Sequence, residues 1–164
     1  MSADYCIGYK RFLACKEEDS THVVSIYEKD SHKFITIPLW RWAKFVRLIP
    51  YLNEQMEMAK RGETVKIREH IGGAMFVSID TSLKVLLIDL REFYAHKTAG
   101  ILPTKRGISL RSTEWEKMLT CVERFTNDHR CVREAQPCSS EMGHANQELG
   151  LSCRECNLPK FDRE

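Results

Sequence analysis

A chain of 164 residues fits one ordinary domain or two very small ones. Hydrophobic residues at 43% and charged residues at 29% suit a packed core and exclude wholesale disorder. A balance of 25 Lys+Arg against 23 Asp+Glu, net +2, excludes a histone-like polycation but leaves room for a local basic face.

In chain order, the first predicted strands are Arg11–Cys15 and His22–Tyr27, flanking a polar turn at Glu17-Glu18-Asp19-Ser20. An extended run from Phe34 leads into a helix whose apolar stripe is Trp42, Phe45, Val46, Ile49 and Leu52. Pro50 falls inside that stripe and predicts a kink or break, because its ring removes a donor and crowds the preceding turn. Two further strands, Phe76–Ile79 and Val85–Leu90, are separated by Asp80-Thr81-Ser82. A second helix is predicted from an N-cap at Ser112, with Glu114 and Glu116 in its first turn, where the helix dipole favours anions. Its apolar face is Trp115, Met118, Leu119, Val122 and Phe125. Residues 127–164 shift in composition, hold four of the seven cysteines and show no sustained apolar period, so they read as a loop-rich or flexible tail.

Residues 1–62 and 63–126 each hold ten basic and eight acidic side chains, which prompts a search for a repeat. Phe34–Trp42 aligns with Gly107–Trp115 at an offset of 73. Upstream an offset of 64 places Ile7-Gly8 on Ile71-Gly72, Phe12 on Phe76, Val24 on Ile88 and Ile26 on Leu90. The difference of nine residues implies one loop insertion in the second copy, between Tyr94 and Lys105. Each copy reads strand, strand, loop, strand, helix. A sheet-and-helix unit of ~60 residues is marginal alone. Stacking the two helix faces would bury Trp42, Phe45, Trp115, Met118 and Val122 as an interface. The expected fold is therefore α+β: two small antiparallel curved sheets, each followed by a helix, packed as a pseudo-dimer within one chain. The expected divisions are 1–62, 63–128 and a Cys-containing tail at 129–164.

The run Leu86-Leu-Ile-Asp-Leu-Arg-Glu-Phe-Tyr94, then Pro103-Thr-Lys-Arg-Gly-Ile-Ser-Leu110, then Glu114-Trp115, resembles the RNA polymerase II transcriptional coactivator family, of the positive cofactor four or Sub-one type. The resemblance covers residues 70–126, and residues 6–60 follow more weakly through the repeat. It implies a non-enzymatic, nuclear, single-stranded-DNA-binding coactivator that works with transcription machinery proteins and needs no cofactor. Carried over residue by residue, it assigns DNA binding to Arg91, the aromatic Tyr94 and the basic pair Lys105 and Arg106, and in the first copy to Arg11, Lys16 and Lys33. The chain departs from the pattern at Asp80, Ser82, Leu83, Val85, Gly73 and Met75. In the first copy it departs at Tyr27, Asp30 and the acidic hairpin Glu17-Glu18-Asp19.

Binding an unpaired strand requires cations along the phosphates and flat side chains for the bases. Arg91, Tyr94, Lys105 and Arg106 supply both if they share one face. Arg91 and Tyr94 are three apart, however, so an ideal strand points them to opposite faces unless a bulge or strand end intervenes. On their helical stripes Trp42 and Trp115 read as packing rather than as base stackers. Asp89 and Glu92 read as ion-pairing groups, because no His or nucleophile accompanies them. A protein-interaction module of the same fold, with weak or no DNA binding, is the alternative.

No apolar run reaches the ~18 residues of a bilayer span, so no membrane partner is expected. The first twenty residues carry Lys10, Arg11, Lys16, Glu17, Glu18 and Asp19 rather than an apolar leader segment. Seven cysteines in such a chain read as reduced thiols. Cys153-Arg-Glu-Cys156, with Cys138 and His144 upstream, is a loose zinc-ligand set, weighed against free thiols in a flexible tail and placed second to them.

Overall fold

The structure, a computed structural model, describes residues 4–138 and 153–158. Among the described residues, eight strands and two long helices form an α+β fold in chain order. The strands are β1 (Tyr5–Gly8), β2 (Arg11–Glu18), β3 (Thr21–Glu28), β4 (Phe34–Pro38), β5 (Lys66–Gly72), β6 (Met75–Asp80), β7 (Leu87–His96) and β8 (Gly100–Arg111). Helix α1 (Leu39–Lys60) follows β4, α2 (Ser112–Asp128) follows β8, and the single turn α3 (Arg130–Arg133) follows α2. The helices α1 and α2 and the strands β2, β3 and β6 are where the apolar periods predict them, while the strand expected at Val85–Leu90 begins at Leu87 and runs on to His96. The short leading strands β1 and β5 add to the three strands per half that alternation marks.

The expectation of two separate sheets is corrected. The strands form one open antiparallel sheet in the order β1-β2-β3-β4-β8-β7-β6-β5, joined where Phe34 on β4 pairs with Gly107 on β8. A four-strand unit leaves an edge of unpaired backbone groups at β4 and another at β8, and the two edges meet at the single pair Phe34↔Gly107. On either side of the joint the registers correspond. Cys6↔Phe12 and Gly8↔Arg11 in the first half answer to His70↔Phe76 and Gly72↔Met75, each partner 64 positions on, with an irregularity at the same place. Arg11↔Glu28 answers likewise to Met75↔Glu92. Tyr27↔Phe34 answers to Arg91↔Gly107, with the β4 partner moved by 73.

One core unites the halves. Ile7, Leu13, Val24, Ile26, Ile35 and Ile37 face the helices from the first half, and Ile71, Val77, Ile79, Ile88, Leu90, Ile108 and Leu110 from the second. The helices cross over: α2 lies against β1, and α1 against β5. Between them Phe45 meets Trp115 edge-on at 6.2 Å and Trp42 meets Phe125 at 5.9 Å. Trp42, Phe45, Trp115 and Met118 are buried, and Val122 is packed partly buried against them. The Trp115 indole N–H donates to Asn53 Oδ1 on α1 at 3.3 Å.

Three local expectations change. Helix α1 runs unbroken through Pro50, which is exposed, so the carbonyl deprived of its partner one turn back lies on the solvent side while Phe45 and Leu52 hold the buried face. Arg111 rather than Ser112 precedes the first turn of α2, and its N–H donates to Glu114 Oε1 at 3.0 Å. The nine extra residues are not a loop but a lengthened hairpin, in which Phe93↔Pro103 through His96↔Gly100 continue β7 and β8. Of the expected tail, Val132 on α3 is buried in the core. Residues 139–152 and 159–164 lie outside the described residues.

Candidate nucleic-acid interface

The helices cover one face of the sheet. The other face carries the alternate side chains of each strand, because successive residues point to opposite sides. In the second half these include Lys66, Arg68 and His70 on β5, Phe76 and Ser78 on β6, Asp89, Arg91 and Phe93 on β7, and Ser109 on β8. They outline a cleft of about 740 Å³ whose lining includes Lys66, Arg68, Asp80, Asp89, Arg91 and Phe93. At its centre the exposed Arg68 lays its guanidinium over the rings of Phe76 and Phe93, at 5.5 and 5.2 Å. Those rings meet edge-on at 5.0 Å, so the cation sits on a rigid aromatic floor.

Arg91 is in this cleft, but its charge is engaged. Nε and Nη2 grip the Asp89 carboxylate at 3.1 and 3.0 Å, and Nη1 donates to the Thr104 carbonyl at 2.9 Å. Ser109 Oγ donates to the same carboxylate at 2.6 Å. Asp80, at the rim, is held below the usual carboxylate range by hydrogen bonds from Ser82. Burial pushes His70 below its usual range, and its Nε2 lies 2.7 Å from the Gly73 carbonyl.

The register separates the residues expected to act together. The bulge does exist, but on β8: between the pairs Arg91↔Gly107 and Phe93↔Pro103, the single residue Glu92 faces Thr104, Lys105 and Arg106. Alternation on β7 is therefore undisturbed, and Phe93, not Tyr94, shares the face of Arg91. Tyr94 is exposed on the other side of the hairpin, with His96 beside it at 6.4 Å. Lys105 and Arg106 are exposed in the bulge, where Arg106 pairs with Glu92 at 3.5 Å. Gly107 anchors this geometry, since a Cβ there would lie 2.5 Å from the Leu90 carbonyl oxygen and 2.8 Å from Arg91 Cα.

In the first half, Phe12 stacks on Tyr27 at 5.5 Å and Lys16 Nζ lies 4.2 Å from the Tyr27 ring centre. The Tyr27 hydroxyl donates to Asp4, and burial together with that carboxylate pushes its pKa up to about 12. Lys33 is exposed in the turn before β4. Arg11 is different in kind. It points to the helix side, pairs with Glu28 and Glu114 at 3.5 and 3.4 Å, donates to the Ser109 carbonyl and is only 12% exposed. It is a cross-brace between the halves, not a cation open to a ligand.

Three of the four candidate metal ligands come together: the sulfurs of Cys138, Cys153 and Cys156 lie within 4.8 Å of one another. Burial and the neighbouring thiols push Cys138 up to about 12. His144 lies outside the described residues. A second trio, Cys15, His22 and Cys131, meets the same limit.

Residues 70–121 match the family model Transcriptional Coactivator p15 (PC4). The PC4 match begins on β5, ends within α2 and so covers most of the cleft, while Lys66 and Arg68 lie just ahead of it and the first half lies outside it. No curated protein and no solved structure matches the chain. Sequence reasoning passed over Lys66, Arg68 and Phe93. The signal was present in Lys66-x-Arg68-x-His70, a period-2 basic stripe on the strand before the matched motif.

Proposed function

We propose that the helix-free face of the sheet binds single-stranded or melted DNA, and that the chain acts without catalysis as a nuclear coactivator of RNA polymerase II transcription. The observation that carries this reading is Arg68 laid across Phe76 and Phe93 in a cleft that also contains Lys66, within and beside a PC4-type segment. A guanidinium held flat on aromatic rings offers one surface for both a base and a phosphate, and base stacking contributes ~1–3 kcal/mol per base. Lys105 and Arg106 at the β8 bulge extend the cationic track, and Tyr94 offers a further ring past the bulge. In the first half Lys16 on Tyr27, with Lys33 nearby in sequence, would supply a weaker second contact. The matching registers support reading residues 1–62 and 63–128 as two copies of one unit, arranged as a pseudo-dimer within the chain.

One observation favours the second reading, a protein-docking module: Arg91 and Arg11 are both neutralised by carboxylates of the same chain. Anisotropy titration of a labelled single strand at two salt concentrations separates the two. Binding that weakens with salt and is lost in a Lys66→Ala/Arg68→Ala double variant supports DNA. A folded chain with no binding at low salt selects docking.

A further inference from the structure

We propose that Cys138, Cys153 and Cys156 form a structural zinc site that clips the C-terminal segment onto the body of the fold. Cys138 and Cys153 are separated by fourteen intervening residues, yet the three sulfurs lie within 4.8 Å of one another, with Cys138 and Cys156 at 3.2 Å. Tetrahedral zinc with Zn–S bonds of ~2.3 Å places its sulfurs ~3.8 Å apart, which falls inside that limit. Cys153 and Cys156 sit on one tight turn in the C-x2-C spacing of a zinc knuckle, where the Asn157 amide donates to the Cys153 carbonyl at 2.6 Å. All three cysteines are half-buried, so a bound ion would be shielded from water on the protein side. A disulfide would use two of the three sulfurs and leave one over. A thiophilic divalent ion uses all three sulfurs at once.

The surroundings show what such a clip would hold. Glu155, between the two knuckle cysteines, grips Arg41 on α1 through a double contact at 2.7 and 2.5 Å. Its carbonyl accepts the Gly73 N–H at 3.1 Å. Gly73 has φ +54, and a side chain there would run into the Arg41 guanidinium, so the β5–β6 turn is shaped to receive the knuckle. Zinc binding would release the thiol protons and fix Glu155 in this seat, tying residues 153–158 to the turn that carries β5 into β6.

The test uses the full chain, expressed with zinc and purified under reducing conditions. Elemental analysis is expected to find one zinc per chain, lost in Cys138→Ser, Cys153→Ser and Cys156→Ser and kept in Cys121→Ser, Cys15→Ser and Cys131→Ser. Cobalt substitution should give the intense visible bands of a tetrahedral thiolate site. Because a cysteine variant can fail to fold, alkylation of the wild-type chain mapped by mass spectrometry provides a second readout. Chelation should accelerate modification of Cys138, Cys153 and Cys156 and leave the exposed Cys6 unchanged. Any of three results overturns the proposal: a reduced chain that takes up neither zinc nor cobalt, a Cys138–Cys156 disulfide in protein isolated in parallel without reductant, or metal that follows Cys15 and Cys131 instead.

Discussion

The two halves share a backbone plan and differ in what they show to solvent. At corresponding registers Asp4 stands where the second half has Arg68, Lys16 where it has Asp80, and Tyr27 where it has Arg91. In the first half an aromatic stack is sealed by an internal tyrosine–aspartate bond. In the second, a cation lies open on two phenyl rings. The inward faces, by contrast, are mainly apolar in both, Arg11 apart. Inward side chains must fill one core, where a change of even a methylene is felt. Outward ones are free to diverge, and the two halves differ there.

The largest effect should come from breaking the shared core. Trp115→Ala removes a buried ring that touches α1, and is expected to cost about 3–5 kcal/mol. Denaturant unfolding followed by circular dichroism and by fluorescence of the remaining tryptophans should show one coincident transition. Two transitions would mean that the halves fold independently.

Next comes the cross-brace. Arg11→Met strands Glu28 and Glu114 and is expected to cost about 2–3 kcal/mol, whereas Lys16→Ala on the exposed first-half stack should cost under about 1 kcal/mol. Equal melting shifts for the two would show that Arg11 is merely a surface charge.

The functional contrast should be sharper than the stability contrast. Arg68→Glu is expected to weaken single-strand binding about tenfold and to lower the salt slope by about one. Lys16→Glu, which reverses the cation lying on the first-half aromatic ring, should do less. The reverse order in an anisotropy titration would move the site to the other half.

The smallest effect is a pH dependence confined to the second half, since the residue aligned with His70 is Cys6. Burial lowers the folded pKa of His70 from 6.5, so the fold favours the neutral ring. Its contribution is complete above about pH 6.5 and is lost as pH falls through the lower folded value. Melting temperature should decline gently on acidification below that point, and His70→Gln should flatten this part of the profile.

Much of this was legible in the residues. Strand alternation marked β2, β3, β6 and β7, and two 3.6-period stripes ending in Leu52 and Phe125 marked the helices. The strand registers of the two halves correspond at the offsets of 64 and 73, although those offsets by themselves say nothing of which residues pair across strands. Less was legible at the site. That Arg91 and Tyr94 point apart follows from period 2 alone, but only the position of the bulge on β8 shows that nothing corrects it. The neutralisation of Arg11 depends on Glu114, over a hundred residues away in sequence, and no local pattern reports such a partner.

By itself the amino-acid order determined which side chains turn inward, because burial periodicity is a local property of strand and helix. Only the tertiary structure decided that β4 meets β8 in one sheet, that each helix packs on strands of both halves, and which cations remain open to a ligand. Those outcomes turn on edges, partners and charges that meet only after the chain has folded.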